Sequence, residues 1–283
     1  MGDALSIFIN WVSGHFLGDA VHLVPSIVCF GFLSLIIHGR AAIGAARSGW
    51  KEIRLNLDYH FIGVFLVGPV IIVPVAVLMA LAWSVSPFDQ SAVPIPVAVL
   101  LAVFASDFVG YWRHRFEHTA LFWPAHAIHH ADTAMTWTSL ERFHFLNRAT
   151  TAWIDIPAMA LLGFSAPVIS VAILIRHFYG QFEHMDLAWD YGRMGKIFTS
   201  PRAHRWHHAV VESIPSGGCN FAVIFSFIDI LFGTYHCPKE KPVTGVSDQI
   251  PDGWGRQFLY PFSVWIQRWR PATPVNPQGS EVS

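Results

Sequence analysis

Three apolar runs of near-membrane length constrain the fold of this chain more than any other feature of its sequence. Residues 61–82 contain no ionisable side chain, and residues 94–110 contain only Asp107. Residues 21–37 contain one imidazole and one thiol. Each run approaches the roughly 20 residues that a helix needs to cross a bilayer. Because only 13% of all residues are charged, about half the share in ordinary soluble domains, we predict an all-α, polytopic membrane helical bundle.

The positions of the basic residues predict how this bundle is oriented. No Lys or Arg occurs before residue 40, and none occurs in residues 84–92. The basic residues that follow the first and third runs are Arg40, Arg47, Lys51, Arg54, Arg113 and Arg115. Since basic loops stay in the cytoplasm, we expect an external N-terminus and a cytoplasmic loop at 39–58. The chain is expected to be an integral, multi-pass membrane protein with its active site on the cytoplasmic side.

Eight histidines in three clusters indicate a metal site. The clusters are His114 and His118, then His126, His129 and His130, and finally His204, His207 and His208. Spacings of three or four residues place side chains on one face of a helix, and neutral imidazole is the commonest protein ligand for metals. With His184 the set has nine imidazoles, roughly twice the ligands of one zinc ion. Nine ligands suit two metals, and imidazole is compatible with iron, zinc or copper.

The fourth apolar stretch, residues 153–175, decides whether the three clusters can meet. A single crossing would put the third cluster on the opposite side of the membrane from the first two. Asp155, Pro157 and the Gly- and Pro-containing residues 163–167 interrupt this stretch. We therefore expect a re-entrant hairpin of two short arms, which returns the chain to the cytoplasmic side. A single kinked span is the alternative.

The order and spacing of the clusters resemble the fatty acid hydroxylase / sterol desaturase superfamily of integral-membrane, non-haem di-iron oxygenases. Residues 107–115 resemble its D-x3-Y-x2-HR motif, and residues 200–205 are similar to TPxxHR. Residues 142–147 resemble RxHPxE, with Phe and Asn in place of Pro and Glu. Residues 182–186 resemble FxHxN with Asp for the final Asn, and residues 220–234 resemble NYG…WDxLFGT.

The resemblance covers roughly residues 100–236 and implies a membrane-bound, O2-dependent lipid oxidoreductase. Such an enzyme hydroxylates or desaturates an unactivated C–H bond of a fatty acyl chain, a sterol or a related lipid. The implied metal ligands are His114, His118, His126, His129, His130, His184, His204, His207 and His208. The implied cofactors are O2 and two iron ions, which zinc could replace in a purified form. Because no GxGxxG motif is present, electrons are expected from a cytochrome, a ferredoxin or an NAD(P)H reductase.

We divide the chain into three parts on composition and motif positions. Residues 1–112 are expected to be transmembrane helices with the N-terminus outside, and residues 113–236 to be the catalytic region with its membrane hairpin. Residues 237–283 are expected to be a cytoplasmic or interfacial tail. Aromatic residues within 254–269 predict either an interfacial helix on the lipid surface or a helix packed on the core.

Four further residues are candidates for metal binding or for contact with the ligands. Asp107 lies two turns before His114 on one helix face, so we expect its carboxylate to accept a hydrogen bond from a ligand imidazole. Asp229 is expected to orient a histidine or to cap a turn. His144 and His177 are each either a ligand or a residue outside the site. No catalytic residue is expected beyond the metal ligands.

Glu117 and the isolated histidines complete the candidate residues. Glu117 is expected either to form a surface salt bridge with Arg113 or to support a ligand. The histidines expected to have no catalytic part are His15, His22, His38, His60 and His236.

Two other functions are compatible with a histidine-rich membrane protein. A zinc-dependent lipid enzyme would need a general base, as in HExxH, and that motif is absent from the sequence. A metal-transport or metal-binding protein would place its ligands at mid-membrane depth, whereas these histidines follow the ends of the apolar runs. The net charge of −1 argues against a nucleic-acid partner, so the expected partners are a bilayer lipid and a redox protein.

Overall fold

The computed structural model describes residues 23–89, 93–210 and 218–269. Within these ranges the chain forms α-helices, short 3-10 and π turns and loops, with no β-strand, so the all-α prediction is confirmed there. We number the helices in chain order. They are α1 (Leu23–His38), α2 (Arg40–Ser48), α3 (Trp50–Val85), α4 (Ile95–Glu117), α5 (Trp123–His130), α6 (145–161), α7 (Ala166–Glu183), α8 (Pro201–His207), α9 (Ser226–Leu231) and α10 (Trp254–Trp269).

Two helices, α3 and α4, are long and apolar enough to cross a membrane. α3 contains the predicted run at 61–82, and α4 contains nearly all of the run at 94–110. The pair α1 and α2 would make a third span, but the two helices are bent by 117° at Gly39. The first two residues of the run at 21–37 lie outside the described residues. The chain is a membrane protein with two or three candidate spans in the part that the structure describes.

The chain reverses direction between α6 and α7, where residues 153–175 were expected to break. α6 ends at Leu161 and α7 begins at Ala166, with Gly163 between them in a left-handed conformation at a φ of +76°. A Cβ atom on Gly163 would lie 2.5 Å from the carbonyl oxygen of Phe88. The turn therefore has no room for a side chain at this position.

An ion pair joins the two arms of this reversal. Arg176 Nη1 lies 2.9 Å from Asp155 Oδ2, although the two residues are 21 positions apart in the sequence. One straight helix would separate them by about 30 Å. The stretch therefore folds back on itself, and the alternative of a single kinked helix is not what the structure contains.

Small residues let α7 lie close against α4. Ala98 and Ala102 of α4 and Ala172 of α7 are fully buried in one apolar core. Further along α4, Gly110 makes room for the guanidinium of Arg176, which a Cβ atom at that position would overlap. The space beside Gly110 lets the Arg176 guanidinium reach carboxylates on two elements. This pairing is needed because a buried charge is costly unless it is paired.

Three buried carboxylates and two partly buried arginines form a continuous chain of charges that joins α4 to both arms of the reversal. Arg176 Nε lies 3.3 Å from Asp107 Oδ1, in addition to its pair with Asp155. On the other side of Asp155, Arg113 Nε is 2.9 Å away, and Arg113 Nη1 reaches Glu117 Oε2 at 2.8 Å. The expected pair of Arg113 and Glu117 is present, but it does not lie on the surface, because Glu117 is completely buried.

Helix α10 packs on the core with one face, as one of the two alternatives predicted, and exposes apolar side chains on the other. Gln257 and Pro261 are buried, and Phe258 stacks on Phe145 with ring centroids 4.9 Å apart. On the other side of the helix, Leu259 and Trp269 expose 62% and 82% of their surface. One face of α10 therefore packs on the protein, and the other presents apolar side chains of the kind that lie on a lipid surface.

Candidate metal centre

Four helices bring the nine predicted histidines to one place. α4 ends at the first cluster, α5 carries the second, α7 ends at His184, and α8 carries the third. Eight of the nine side chains are buried, and His118 is half-buried. The reversal between α6 and α7 is what returns the chain to this place, because it lets α4 and α7 end side by side.

The first group contains five histidines whose ligand atoms all lie within 4.8 Å of one another. Its members are His114, His118, His126, His130 and His207. The Nε2 atom of His126 lies 3.1 Å from the Nε2 atoms of both His114 and His130. The rings of His118 and His207 complete the group, with centroids 4.9 Å apart.

The second group is formed by His129, His184, His204 and His208. One ligand atom from each of His129, His184 and His208 lies within 4.8 Å of the others. His204 joins through His184, since their Nε2 atoms are 3.1 Å apart. The two groups are adjacent, because the ring of His208 stacks on the ring of His130 at a centroid distance of 4.3 Å.

The nitrogen atoms that face into these groups fit metal ions. Neutral imidazole has one donor and one acceptor nitrogen, so Nε2 atoms facing each other at 3.1 Å cannot all be satisfied by protons. The Nε2 atoms of His118 and His207 and both ring nitrogens of His208 are buried, with no hydrogen-bond partner among the described residues. Buried polar atoms normally have partners, and a cation in each group would supply one. A donor set of imidazoles suits iron, zinc or copper.

Backbone carbonyls orient three of the imidazoles. The Nδ1 atom of His114 donates to the carbonyl of Phe221 at 2.9 Å, and that of His207 donates to the carbonyl of Cys219 at 2.7 Å. His184 Nδ1 donates to the carbonyl one turn earlier on α7 at 2.6 Å. These bonds hold the proton on Nδ1 and leave Nε2 free to face the group, as a metal ligand requires.

Burial keeps the imidazoles neutral. It lowers the pKa of His184 and of His207 to about 4. The histidines whose pKa burial and neighbouring imidazoles hold well below the usual value are His118, His126, His129, His130, His204 and His208. Metals bind the neutral form of imidazole, so these side chains are in the required state at neutral pH before any metal arrives.

Asp107 and Asp229 hold the loop that supplies two of the carbonyls. Asp107 accepts hydrogen bonds from the backbone N–H groups of residues 223–225 at 2.8 to 3.0 Å. The prediction that it accepts one from a ligand imidazole is wrong, because these amides take its oxygens instead. Asp229 accepts from the N–H groups of Phe221 at 2.7 Å and Ala222 at 3.0 Å, so it has the turn-capping role.

His144 and His177 lie outside both groups. His144 Nε2 donates to the carbonyl of Phe258 at 3.0 Å, and its Nδ1 accepts from the N–H of Leu146 at 3.3 Å, which caps α6. His177 Nε2 lies 3.5 Å from Glu141 Oε1. The structure thus uses both ring nitrogens of His144 to join α6 to α10, and it directs His177 toward a carboxylate.

The remaining described histidines also lie outside the two groups. His60 is buried and pairs with a carboxylate at 2.9 Å, His38 is exposed, and His236 is half-buried. His15 and His22 lie outside the described residues.

Residues 99–234, just under half of the chain, match the model of the family described as "Fatty acid hydroxylase". We call these residues the fatty acid hydroxylase region. The fatty acid hydroxylase region begins within α4 and contains all nine histidines of the two groups. Helices α1 to α3 and α10 lie outside it. The resemblance seen in the sequence is therefore confirmed.

Relatives of the fatty acid hydroxylase region include enzymes that act on lipids. The chain is 30% identical over 173 residues to the ornithine lipid hydroxylase OlsE of Rhizobium tropici, covering 60% of this chain and 52% of that protein. It is 29% identical over 177 residues to the alkylglycerol monooxygenase of Homo sapiens, covering 61% and 38%. The alkylglycerol monooxygenase of Caenorhabditis elegans is 27% identical over 157 residues, covering 53% and 30%. The chain spans about half the length of these curated relatives or less, and no solved structure matches it significantly.

Two buried carboxylates lie beside the histidine groups of the fatty acid hydroxylase region. Glu183 Oε1 is 3.3 Å from Nδ1 of His204, and Glu117 Oε2 is 3.5 Å from Nδ1 of His126. Glu117 is among the candidates expected from the sequence, whereas Glu183 is not. The signal that could have found it is a repeated Phe-Glu-His at the ends of α4 and α7.

Proposed function

We propose that this protein is a membrane-bound, O2-dependent lipid hydroxylase whose clustered histidines hold two iron ions. The observation that carries this proposal is the pair of adjacent groups of buried, neutral imidazoles within the fatty acid hydroxylase region. Five donors in one group and four in the other suit two ions that keep coordination positions open for a small molecule.

The proposed ligands divide between the ions as the two groups do. His114, His118, His126, His130 and His207 would hold the first ion. His129, His184, His204 and His208 would hold the second. The stacked rings of His130 and His208 form the boundary between the two ions.

The proposed reaction inserts one atom of O2 into a C–H bond and reduces the other to water. In balance it is R–H + O2 + 2 e⁻ + 2 H⁺ → R–OH + H2O. Iron, when bound, supplies the reductive activation of O2 that an unactivated C–H bond requires. The protein contributes the positions of the ligands, their neutral state and the exclusion of water.

Aromatic side chains surround the imidazoles and keep water out. Phe143 stacks on the ring of His129 at 4.3 Å, and Phe221 lies 5.0 Å from the ring of His118. Trp123, from α5, lies 5.2 Å from the His118 ring. Because water would compete for open metal positions and intercept reactive species, this apolar wall favours oxidation of a lipid over unproductive reduction of O2.

The relatives support hydroxylation rather than desaturation. The bacterial relative is an ornithine lipid hydroxylase and the human relative is an alkylglycerol monooxygenase, and both names denote insertion of oxygen. We therefore propose as substrate a polar membrane lipid with a long acyl or alkyl chain. The site begins in the last turn of the candidate span α4, at His114, so such a lipid can approach laterally from the bilayer.

We propose that the histidine groups face the cytoplasm, where a cytochrome, a ferredoxin or an NAD(P)H reductase supplies the two electrons. Asn56, in the basic segment at 39–58, donates a hydrogen bond of 2.8 Å to Asp132, just after the second cluster. This bond joins the basic segment to the histidine-bearing end of the bundle. The positive-inside rule then supports a cytoplasmic position for both.

Metal analysis and lipid mass spectrometry test this function together. We expect two irons per purified chain, O2 consumption in the presence of a reductant, and a lipid that gains one oxygen atom in cells that make the protein. A product lighter by two hydrogens would indicate desaturation instead. Lipid turnover that is independent of O2 with bound zinc, or metal transport into vesicles, would overturn the proposal.

A further inference from the structure

Helices α4 and α7 end in the same three residues, Phe-Glu-His, at 116–118 and 182–184. The two helices pack side by side, and both end at the histidine groups. In each motif the histidine belongs to one of the groups. The preceding glutamate is the last helical residue. In the second motif, ligand atoms of Glu183, His184 and His204 all lie within 4.8 Å of one another.

Glu183 faces the outer nitrogen of a histidine in the second group. Its side chain is 1% exposed, and Oε1 lies 3.3 Å from Nδ1 of His204. The other nitrogen of that ring, Nε2, faces Nε2 of His184 at 3.1 Å. Neither oxygen of Glu183 has a hydrogen-bond partner among the described residues. The imidazole of His204 thus lies between a buried carboxylate and the nitrogens that face the proposed ion.

Glu117 has the corresponding position in the first group. It is completely buried, and Oε2 lies 3.5 Å from Nδ1 of His126, whose Nε2 faces the rest of the group at 3.1 Å. Asn147 Nδ2 also lies 3.2 Å from this Nδ1. Unlike Glu183, Glu117 has further partners, because Arg113 contacts it at 2.8 Å and the Thr150 hydroxyl donates to it.

We propose that Glu183 and Glu117 are positioning residues for the two metal ions, each acting through one ligand of its own group. Glu183 accepts the Nδ1 proton of His204, which fixes the tautomer and makes Nε2 a stronger ligand. Glu117 places its charge 3.5 Å from Nδ1 of His126, a nitrogen that the Asn147 amide also contacts. Each carboxylate also brings negative charge beside a buried cation whose ligands are all neutral. This inference rests on the proposed function, because it requires a metal ion in both groups.

The two carboxylates differ in how far neighbouring cationic side chains already compensate their negative charge. Arg113 already compensates Glu117, whereas no Lys or Arg of the described residues forms an ion pair with Glu183. Removal of the carboxylate at 183 should therefore weaken metal binding more than removal at 117.

The test measures metal affinity of the full-length protein, with Co²⁺ or Fe²⁺ titrated against a competing chelator. Glu183→Leu removes the carboxylate at similar volume, and we expect it to weaken one of the two ions by about 10- to 100-fold. Glu183→Gln keeps a hydrogen-bond acceptor without the charge. Its metal affinity should therefore lie between that of Glu183→Leu and that of wild type. Glu117→Leu should have a smaller effect, and the exposed Glu240→Gln serves as the control with wild-type affinity.

Melting of the metal-free protein separates positioning from a structural role. Because leucine replaces a buried carboxyl group that has no hydrogen-bond partner among the described residues, metal-free Glu183→Leu should melt no lower than wild type, whereas a structural role would lower its Tm. Wild-type protein that fails to bind two ions would refute the proposed function. If wild type binds two ions and both Glu183 variants bind them equally well, this inference alone is overturned. Should Glu183→Leu fail to fold, the affinity of Glu183→Gln decides, with wild-type affinity counting against the proposal.

Discussion

Asp155 and Arg176, on opposite arms of the reversal between α6 and α7, form a buried ion pair with 2.9 Å between Oδ2 and Nη1. The pair fixes the turn that returns the chain to the first two histidine clusters. Asp155 also contacts Arg113 of α4 at 2.9 Å, so a single carboxylate bridges two arginines. The position of the third cluster thus depends on Asp155, which lies far from that cluster in the sequence.

Asp155→Ala should destabilise the protein strongly. The substitution leaves Arg113 with Glu117 alone and Arg176 with Asp107 alone, and each hydrogen bond to a charged group that is lost costs about 1.5–3 kcal/mol. Unfolding of the detergent-solubilised protein measures the change. Asp190→Ala, which removes an exposed partner of Arg202, is the matched control and should have little effect. Equal stability of the two variants would show that the chain of charges does not hold the reversal.

His129→Ala and His207→Ala each remove one proposed ligand from a different group. We expect activity to fall by at least about 100-fold in both, because one of the two ions is lost or weakly held. Metal content and lipid product are measured together, so that loss of iron can be tied to loss of product. His38→Ala alters an exposed histidine and should leave both unchanged. Full activity in either ligand variant would refute the assignment of that histidine.

Gly163→Ala should destabilise the turn between α6 and α7. Its φ of +76° is unfavourable for alanine, and the added Cβ would meet the carbonyl of Phe88. A strained position of this kind costs about 1–3 kcal/mol. Gly44→Ala is the matched control, since a Cβ there meets nothing within 4 Å and favours helix α2 by up to about 1 kcal/mol. The two melting temperatures should therefore move in opposite directions, and a stable Gly163→Ala would contradict the turn geometry.

Asp229→Ala should weaken metal binding through the backbone. It frees the N–H groups of Phe221 and Ala222, and each buried donor left unpaired costs about 1–3 kcal/mol. The carbonyl of Phe221 accepts the Nδ1 proton of His114, so its displacement loosens that ligand. Chelator titration should show that the substitution weakens binding of the first ion more than binding of the second. Equal loss at both ions would indicate general unfolding instead.

The metal-free protein should lose stability as the pH falls from about 6.5 to about 4. Burial lowers the pKa of His184 and His207 to about 4, whereas an unfolded chain has a histidine pKa of about 6.5. Between these values the unfolded state binds more protons, so acid favours unfolding, and above pH 6.5 the two groups contribute no slope. Denaturant unfolding across pH 4 to 8 measures the effect. His207→Gln should reduce the slope, and a flat profile in wild type would contradict the burial of neutral imidazoles.

The membrane helices and the grouping of the histidines could be predicted because both depend on local sequence. An apolar run such as 61–82 needs only its length, and the reversal in residues 153–175 is marked by Gly163 and two prolines. Because the three clusters must form one site, the chain was expected to reverse in this stretch and return to the first two clusters.

The partners of the buried acids could not be predicted, because they come from packing between distant segments. Asp107 lies on the helix face of His114, yet its carboxylate accepts backbone N–H groups from residues 223–225, more than 100 positions later. His144 keeps a motif that resembles a ligand segment, but its ring joins α6 to Phe258 of α10. Local spacing does not contain this information.

Because the Arg176 guanidinium passes over Gly110, the residues at these two distant positions are coupled in evolution. Any side chain larger than hydrogen at 110 would displace the guanidinium, and Arg176 would then lose Asp107 and Asp155 together. A homologue that replaces this glycine is therefore expected to replace the arginine as well, or to replace both aspartates. Homologous sequences should carry the glycine and the arginine together or lack them together.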